Sequence, residues 1–240
     1  MIMKLLLISN STNASEEYLG HSIPKIKNFL GEFKPQSAIF IPYAAVTFSF
    51  DEYERKVNEK LSIIDLTVKS IHHFSDPIKA IEKSDLIIIG GGNTFHLLKL
   101  MQDNNLLEPI REKVLQGMPY IGWSAGSNVA CPSIKTTNDM PIIEPHSFNA
   151  LSLINFQINP HYLDVNPQDH AGETREQRIE EFIEVNRNVY VIGLREGTAL
   201  IVEDSNIKLI GSRPARLFHY GKSPQEIAPE MDISFLYSDF

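Results

Sequence analysis

The chain has 240 residues, 42% of them hydrophobic and 22% charged, the composition of a folded globular protein rather than a disordered one. Thirty acidic residues against 22 basic ones give a net charge of −8, without the electrostatic footprint of a general nucleic-acid binder. The lone Cys131 excludes an internal disulfide and any cysteine-built zinc or iron–sulfur site.

The apolar run near Met1–Ser9 is too short for a signal peptide and meets Asn10-Ser11-Thr12-Asn13 at once. No stretch approaches the ~20 apolar residues of a membrane span. A cytoplasmic protein without membrane partners is therefore expected. With no repeat or linker-like segment, residues 1–240 read as one domain.

Four short runs, Lys4–Ser9, Ala38–Pro42, Leu86–Ile89 and Pro119–Gly122, are nearly continuous in apolar character. Strands buried on both faces of a parallel sheet have this appearance. Helical segments alternate with them: Glu16–Leu30, Phe50–Leu61, Asp76–Lys83, Thr94–Gln102 and Leu107–Gln116. This alternation predicts a doubly wound α/β sandwich. Beyond it come a short strand at Phe156–Asn159 and a helix at Thr174–Val185. Closely spaced strands follow at Val189–Leu194, Ala199–Glu203, Lys208–Ile210 and Ala215–His219. These are expected to be antiparallel and to extend the sheet or fold over its edge.

Gly122-Trp123-Ser124-Ala125-Gly126 matches the nucleophile-elbow pattern, with a buried strand before it and a small-residue helix start, Ala125–Ala130, after it. Ser124 is the candidate nucleophile. A serine nucleophile needs a base, and the base needs a group to orient it. Among eight histidines, His161 follows a strand at Ile158-Asn159-Pro160, with His146 and His170 as competitors. Two carboxylates compete as the acid: Glu196, in Gly193-Leu194-Arg195-Glu196-Gly197, and Asp139, in a polar loop. Spacing alone does not choose between them.

Leu86–Ile89 runs into Gly90-Gly91-Gly92-Asn93, which lacks the spacing of either common phosphate loop and suits a backbone turn that offers N–H groups to an oxyanion. Thr174-Arg175-Glu176-Gln177 fits a capping box. Arg175 then sits in the first helical turn, where it is either neutralised by Glu173 and Glu176 or holds a substrate carboxylate by a two-point fork.

Together these motifs resemble the peptidase E family of serine peptidases, family S51. The likeness also includes Leu5–Thr12, Phe40–Ala44, Asp51–Tyr53, Gly90–Phe95, Thr136–Pro141, Ile158–His161, Gly172–Arg178 and Val191–Gly197. It implies hydrolysis of dipeptides with N-terminal aspartate, Asp-X, and a three-layer α/β/α sandwich. That fold is flavodoxin-like and similar to the class I glutamine amidotransferases, its largely parallel sheet carrying C-terminal antiparallel strands. By position, the resemblance makes Ser124 the nucleophile, His161 the base and Glu196 the third member of the triad. Asp139 remains a supporting or rival acid. Gly92 and Ala125 would supply oxyanion N–H groups, and Arg175 would hold the substrate's aspartyl side chain. No cofactor or metal is implied, and a monomer or small homo-oligomer acting on a small-molecule substrate is expected.

The pattern departs at Arg195 and Thr198, where the family has proline and asparagine. A cation beside Glu196 would either alter how that carboxylate ionises or point to solvent. The segment from Ser212 onward resembles nothing in the family. A cyanophycinase-like peptidase is a near alternative. An α/β-hydrolase esterase is another, its order Ser…acid…His needing Asp139 or Asp164 followed by His170 or His219. A non-enzymatic, amidotransferase-like module binding a small anion at Gly90–Asn93 is the third.

Overall fold

Alternate residues of the apolar strands go to opposite faces of one sheet, and both faces are covered. Leu5 and Leu7 of β1 (Lys4–Ile8) join the same core as Ile39 and Ile41 of β2 (Ala38–Ile41) and Ile87 and Ile89 of β4 (Leu86–Ile89). Leu6, Ile8, Phe40 and Ile88 enter a second core on the other side. Helices α1 (Ile23–Leu30) and α2 (Phe50–Leu61) cover that second face. The first is covered by α3 (Pro77–Lys83), α4 (Thr94–Asp103) and α5 (Leu107–Leu115). The computed structural model describes residues 2–165 and 171–237.

Among the described residues the main sheet has the order β3-β2-β4-β5-β1-β8-β9, with β3 at Lys69–Ser70, β5 at Tyr120–Trp123, β8 at Ala199–Glu203 and β9 at Asn206–Ile210. The first five of these strands run parallel, while β8 and β9 extend the sheet antiparallel. The three-layer α/β/α arrangement expected from the sequence is present.

A second sheet, ordered β11-β10-β7-β6, packs alongside, with β6 at Gln157–Tyr162, β7 at Val191–Arg195, β10 at Ala215–Phe218 and β11 at Gln225–Ile227. Here β6 and β7 are parallel, and β10 and β11 add antiparallel. Helix α7 (Arg175–Val185) seats Ile179 and Ile183 against Tyr162, Val191 and Phe218 of this sheet. The C-terminal strands are thus divided: β8 and β9 lengthen the main sheet, whereas β7 and β10 belong to the second.

One sequence expectation is corrected. The helix expected from Glu16 begins only at Ile23. Residues 16–22 form turns, Leu19 has positive φ (56°), and Pro24 is tolerated only in the first turn of a helix. The small-residue segment Ala125–Ala130 does start a helix, the single turn α6 at Ala125–Asn128.

Parallel pairing brings the carboxyl ends of β1, β4 and β5 to one edge. The pairing of Ala199 with Ile8 brings the turn between β7 and β8 there as well. Open α/β sheets present their ligand sites at this edge.

Candidate functional site

At the end of β5 the chain turns so sharply that Ser124 adopts φ 53° and ψ −111°, a conformation side chains rarely take. The turn is held by the Ser124 N–H donating to Ile8 O (3.0 Å) and by Ser124 O accepting from the N–H groups of Ser127 and Asn128. Gly126 is required by close approach: a Cβ there would lie 2.1 Å from Ile89 O.

His161 lies at an irregularity of β6, where the register with β7 shifts between Asn159 and Tyr162, and has φ 53°. Its N–H donates to Ser9 Oγ (3.0 Å), whose hydroxyl donates to Leu194 O (2.8 Å), so β1 ties β6 to β7 just behind the site. His161 Nε2 stands 3.0 Å from Ser124 Oγ, and Nδ1 stands 2.8 Å from Glu196 Oε1. With Glu196 ionised and accepting from Nδ1–H, Nε2 is left with its lone pair toward the serine hydroxyl. Glu196 sits where the chain leaves β7 for β8, and the Gly197 N–H donates to Asn10 Oδ1 (2.8 Å), which fixes that turn.

Asp139, on the wall of the same cavity, is bonded to other groups. Its Oδ2 accepts from the Thr94 N–H (2.7 Å), Thr94 Oγ1 (2.5 Å) and Thr137 Oγ1 (3.1 Å). Asn93 caps α4 and donates to Met140 O (2.8 Å), so Asp139 anchors its own loop to the start of α4 and makes no hydrogen bond to His161.

The glycine run after β4 passes beside Ser124. Gly92 has φ +137°, and a Cβ there would lie 2.2 Å from Ala44 O. Gly91 O accepts from Tyr53 Oη (2.8 Å), which directs the Gly92 N–H of the same peptide the opposite way. Among the described residues neither that N–H nor the N–H of Ala125 has a hydrogen-bond partner. Tyr53 Oη also accepts from Trp123 Nε1 (3.2 Å), bridging α2, the glycine loop and β5.

The serine, imidazole and carboxylate open on a cavity of about 680 Å³, lined also by Lys56, Gly92, Asp139 and Arg175. The capping box of α7 is complete: Gln177 N–H donates to Thr174 Oγ1 (3.2 Å) and Thr174 N–H to Gln177 Oε1 (2.8 Å). It places Arg175 at the first helical position. Glu173 pairs with Arg178, and Glu176 with Arg216, so neither neutralises Arg175. Burial pulls the Arg175 pKa down, the neighbouring Arg178 adds to this, and Asp139 opposes it. Arg175 makes no ion pair among the described residues.

The departures from the family pattern have a structural explanation. Arg195 turns to neither Glu196 nor solvent. Its buried guanidinium donates to Asp164, to Pro214 O (2.8 Å) and to both oxygens of Glu226 (2.7 and 2.9 Å), and it lies over the Tyr162 ring. These partners raise its pKa further. Glu226 belongs to β11, so the C-terminal segment supplies one of the two counter-charges and Asp164 the other. Thr198 Oγ1 donates to Arg195 O (2.6 Å) and closes the same turn.

Other candidates lie apart from Ser124. His146 pairs with Asp103, His219 Nδ1 is bonded to Tyr220 O, and Asp164 is engaged by Arg195. His170 lies outside the described residues. Among the described residues the grouping of metal-ligating side chains is Asp51, His72 and His73, none of which lines the cavity. Sequence reading missed Ser9, Asn10 and Tyr53, polar residues at the ends of apolar strands or within a helix, whose partners are distant in the chain.

The sequence model for peptidase family S51 matches residues 5–210. Peptidase E of a Nostoc species is 50% identical over 236 residues, covering 98% of this chain and 97% of that protein. Peptidase E of Salmonella paratyphi A is 48% identical over 220 residues, covering 92% of this chain and 95% of that protein. The crystal structure of a peptidase from an acI-B1 actinobacterium superposes with a TM-score of 0.70 at 18% identity, covering 98% of each chain, which speaks to the fold. No helix among the described residues is long and apolar enough to cross a membrane. A match over most of the chain, together with curated relatives near half identity along nearly its whole length, makes this chain a member of peptidase family S51, a serine peptidase.

Proposed function

We propose that the chain is a dipeptidase that releases N-terminal aspartate from Asp-X dipeptides through a Ser124–His161–Glu196 triad and an acyl-enzyme. The observation that carries the reading is the continuous hydrogen-bonded line from Glu196 through His161 to Ser124, opening on a cavity whose wall includes Arg175, which has no ion pair among the described residues.

In the first step Ser124 Oγ attacks the scissile carbonyl as its proton passes to His161 Nε2. Glu196 holds the imidazole in the reactive tautomer and stabilises its cation. The N–H groups of Gly92 and Ala125 receive the oxyanion; one such donor is typically worth about 3 kcal/mol of barrier. The imidazolium gives its proton to the leaving amine, and a water activated by the same imidazole then releases aspartate. Asp139 supports the site by fixing the glycine loop through Thr94 and is not a member of the triad.

Specificity would come from Arg175. A substrate without the β-carboxylate leaves the guanidinium without a counter-charge in a half-buried site, which penalises the wrong substrate strongly. The test is kcat/KM for Asp-Leu, Asn-Leu, Glu-Leu and Leu-Leu with the wild type and Arg175→Met. A preference for Asp-Leu of 100-fold or more that collapses in the variant is expected. Equal turnover of Asp-Leu and Leu-Leu by the wild type would overturn the specificity.

A further inference from the structure

Asp51 and Glu54 stand three residues apart in the first turns of α2, and so share one side of that helix. His72 and His73 are consecutive in the 3₁₀ turn Ile71–His73 that follows edge strand β3. The fold brings the two segments together. His72 Nε2 is 3.0 Å and His73 Nε2 3.5 Å from the same oxygen, Asp51 Oδ1. The ligand atoms of these three residues all lie within 4.8 Å of one another.

We propose that Asp51, His72 and His73, with Glu54 at hand, form a binding site for a late first-row divalent cation such as zinc. Zinc binds imidazole nitrogen and carboxylate oxygen at about 2.0–2.2 Å in tetrahedral geometry, which separates ligand atoms by roughly 3.3 Å. The two imidazole-to-Asp51 distances bracket that spacing. Glu54 Oε2 lies 2.7 Å from His73 Nε2, beside the three-residue grouping, and fills the fourth position if its side chain swings toward the ion. Otherwise water fills it.

Supporting contacts are in place. Ser70 Oγ lies 2.6 Å from His72 Nδ1. With Nδ1–H donating to that hydroxyl, Nε2 keeps its lone pair for the metal, the usual arrangement for a ligating histidine. Glu54 Oε1 accepts from the Ser70 N–H (2.7 Å), which orients the carboxylate and leaves Oε2 for the cluster. Two imidazoles and carboxylate oxygen favour zinc, copper(II) or nickel over magnesium or calcium.

The ion would clip the start of α2 to β3, which pairs with β2 through only Lys69 and Ser70. Its role is structural, because its ligands do not line the cavity that holds Ser124.

The test is calorimetric titration of chelator-stripped protein with zinc chloride, with cobalt(II) absorption as a second readout of the ligand field and thermal unfolding as a third. One equivalent should bind with a micromolar or lower dissociation constant, give tetrahedral cobalt bands and raise Tm by several degrees. Magnesium should do none of this. Asp51→Asn, at an exposed position, should weaken zinc at least tenfold, and the His72→Asn/His73→Asn double variant should abolish one-equivalent binding. His146→Asn, at a separate His–Asp pair, should bind as the wild type does. Absence of saturable binding below about 100 μM, or wild-type binding by the folded double variant, would overturn the proposal.

Discussion

Arg195 is the residue whose replacement separates a buried charge from its partners most sharply. Its side chain is 8% exposed, while Asp164 and Glu226 are 49% and 44% exposed. Removing the cation in Arg195→Met leaves two carboxylates that regain water, so the cost is moderate, about 2 kcal/mol for the lost charge-assisted hydrogen bonds after solvation of their partners. Removing both carboxylates in Asp164→Ala/Glu226→Ala leaves the guanidinium buried without a counter-charge, at about 3–5 kcal/mol. The order is opposite to what the exposure of the altered side chains alone suggests. Urea unfolding of the three proteins at pH 7 measures both values. Arg195 also holds the carboxyl pKa values of Asp164 and Glu226 below their usual range, chiefly by hydrogen bonding, with Arg216 adding to this. A carboxylate with a depressed folded pKa contributes stability that is complete above its unfolded pKa and is lost as pH falls through the folded one. The wild type's advantage over Arg195→Met should therefore be full above about pH 5 and shrink below about pH 4. A double carboxylate variant more stable than Arg195→Met, or a gap indifferent to pH between 3 and 6, would refute this reasoning.

Further outcomes follow from single contacts. Gly126→Ala forces a Cβ to 2.1 Å from Ile89 O, a backbone atom that cannot swing away. The loss should reach or exceed the upper end of the ~1–3 kcal/mol typical of overpacking, read as a fall in Tm. Tyr53→Phe strips the buried Trp123 Nε1–H and Gly91 O of their shared partner, and urea unfolding should show a loss of about 1–3 kcal/mol. Glu196→Gln keeps the shape but offers His161 a neutral partner. Its kcat on Asp-Leu should fall roughly 10²–10⁴-fold with KM little changed, whereas Asp139→Asn, at a residue bonded to Thr94 and Thr137 and not to the imidazole, should lose far less.

The parallel part of the fold was legible because β1, β2, β4 and β5 are buried on both faces and so carry unbroken apolar runs. Strand β3 was not, since two residues, Lys69 and Ser70, carry no periodicity. The assignment of β7 and β8 to different sheets was equally hidden. Both are short apolar runs, and what separates them is non-local pairing, β7 with β6 and β8 with β1. At the site, the elbow serine and the capping box around Arg175 were readable because their chemistry is local. The choice between Glu196 and Asp139 was not, because the partner of His161 is set by which loop crosses the edge of the sheet. A signal for Arg195 did exist. Leu194 enters the main core, so strand alternation sends its neighbour to the opposite face, where Tyr162 lies. What the sequence could not supply were the counter-charges, Asp164 just after β6 and Glu226 on β11, each some thirty residues away.

The measurement that bears most directly on the triad and its substrate is hydrolysis of Asp-Leu by purified wild-type protein and by Ser124→Ala. Circular dichroism would show that both are folded. Aspartate release by the wild type, reduced at least 10³-fold in the variant, is the expected result. Undiminished release by Ser124→Ala, or no release by the folded wild type, would contradict the account.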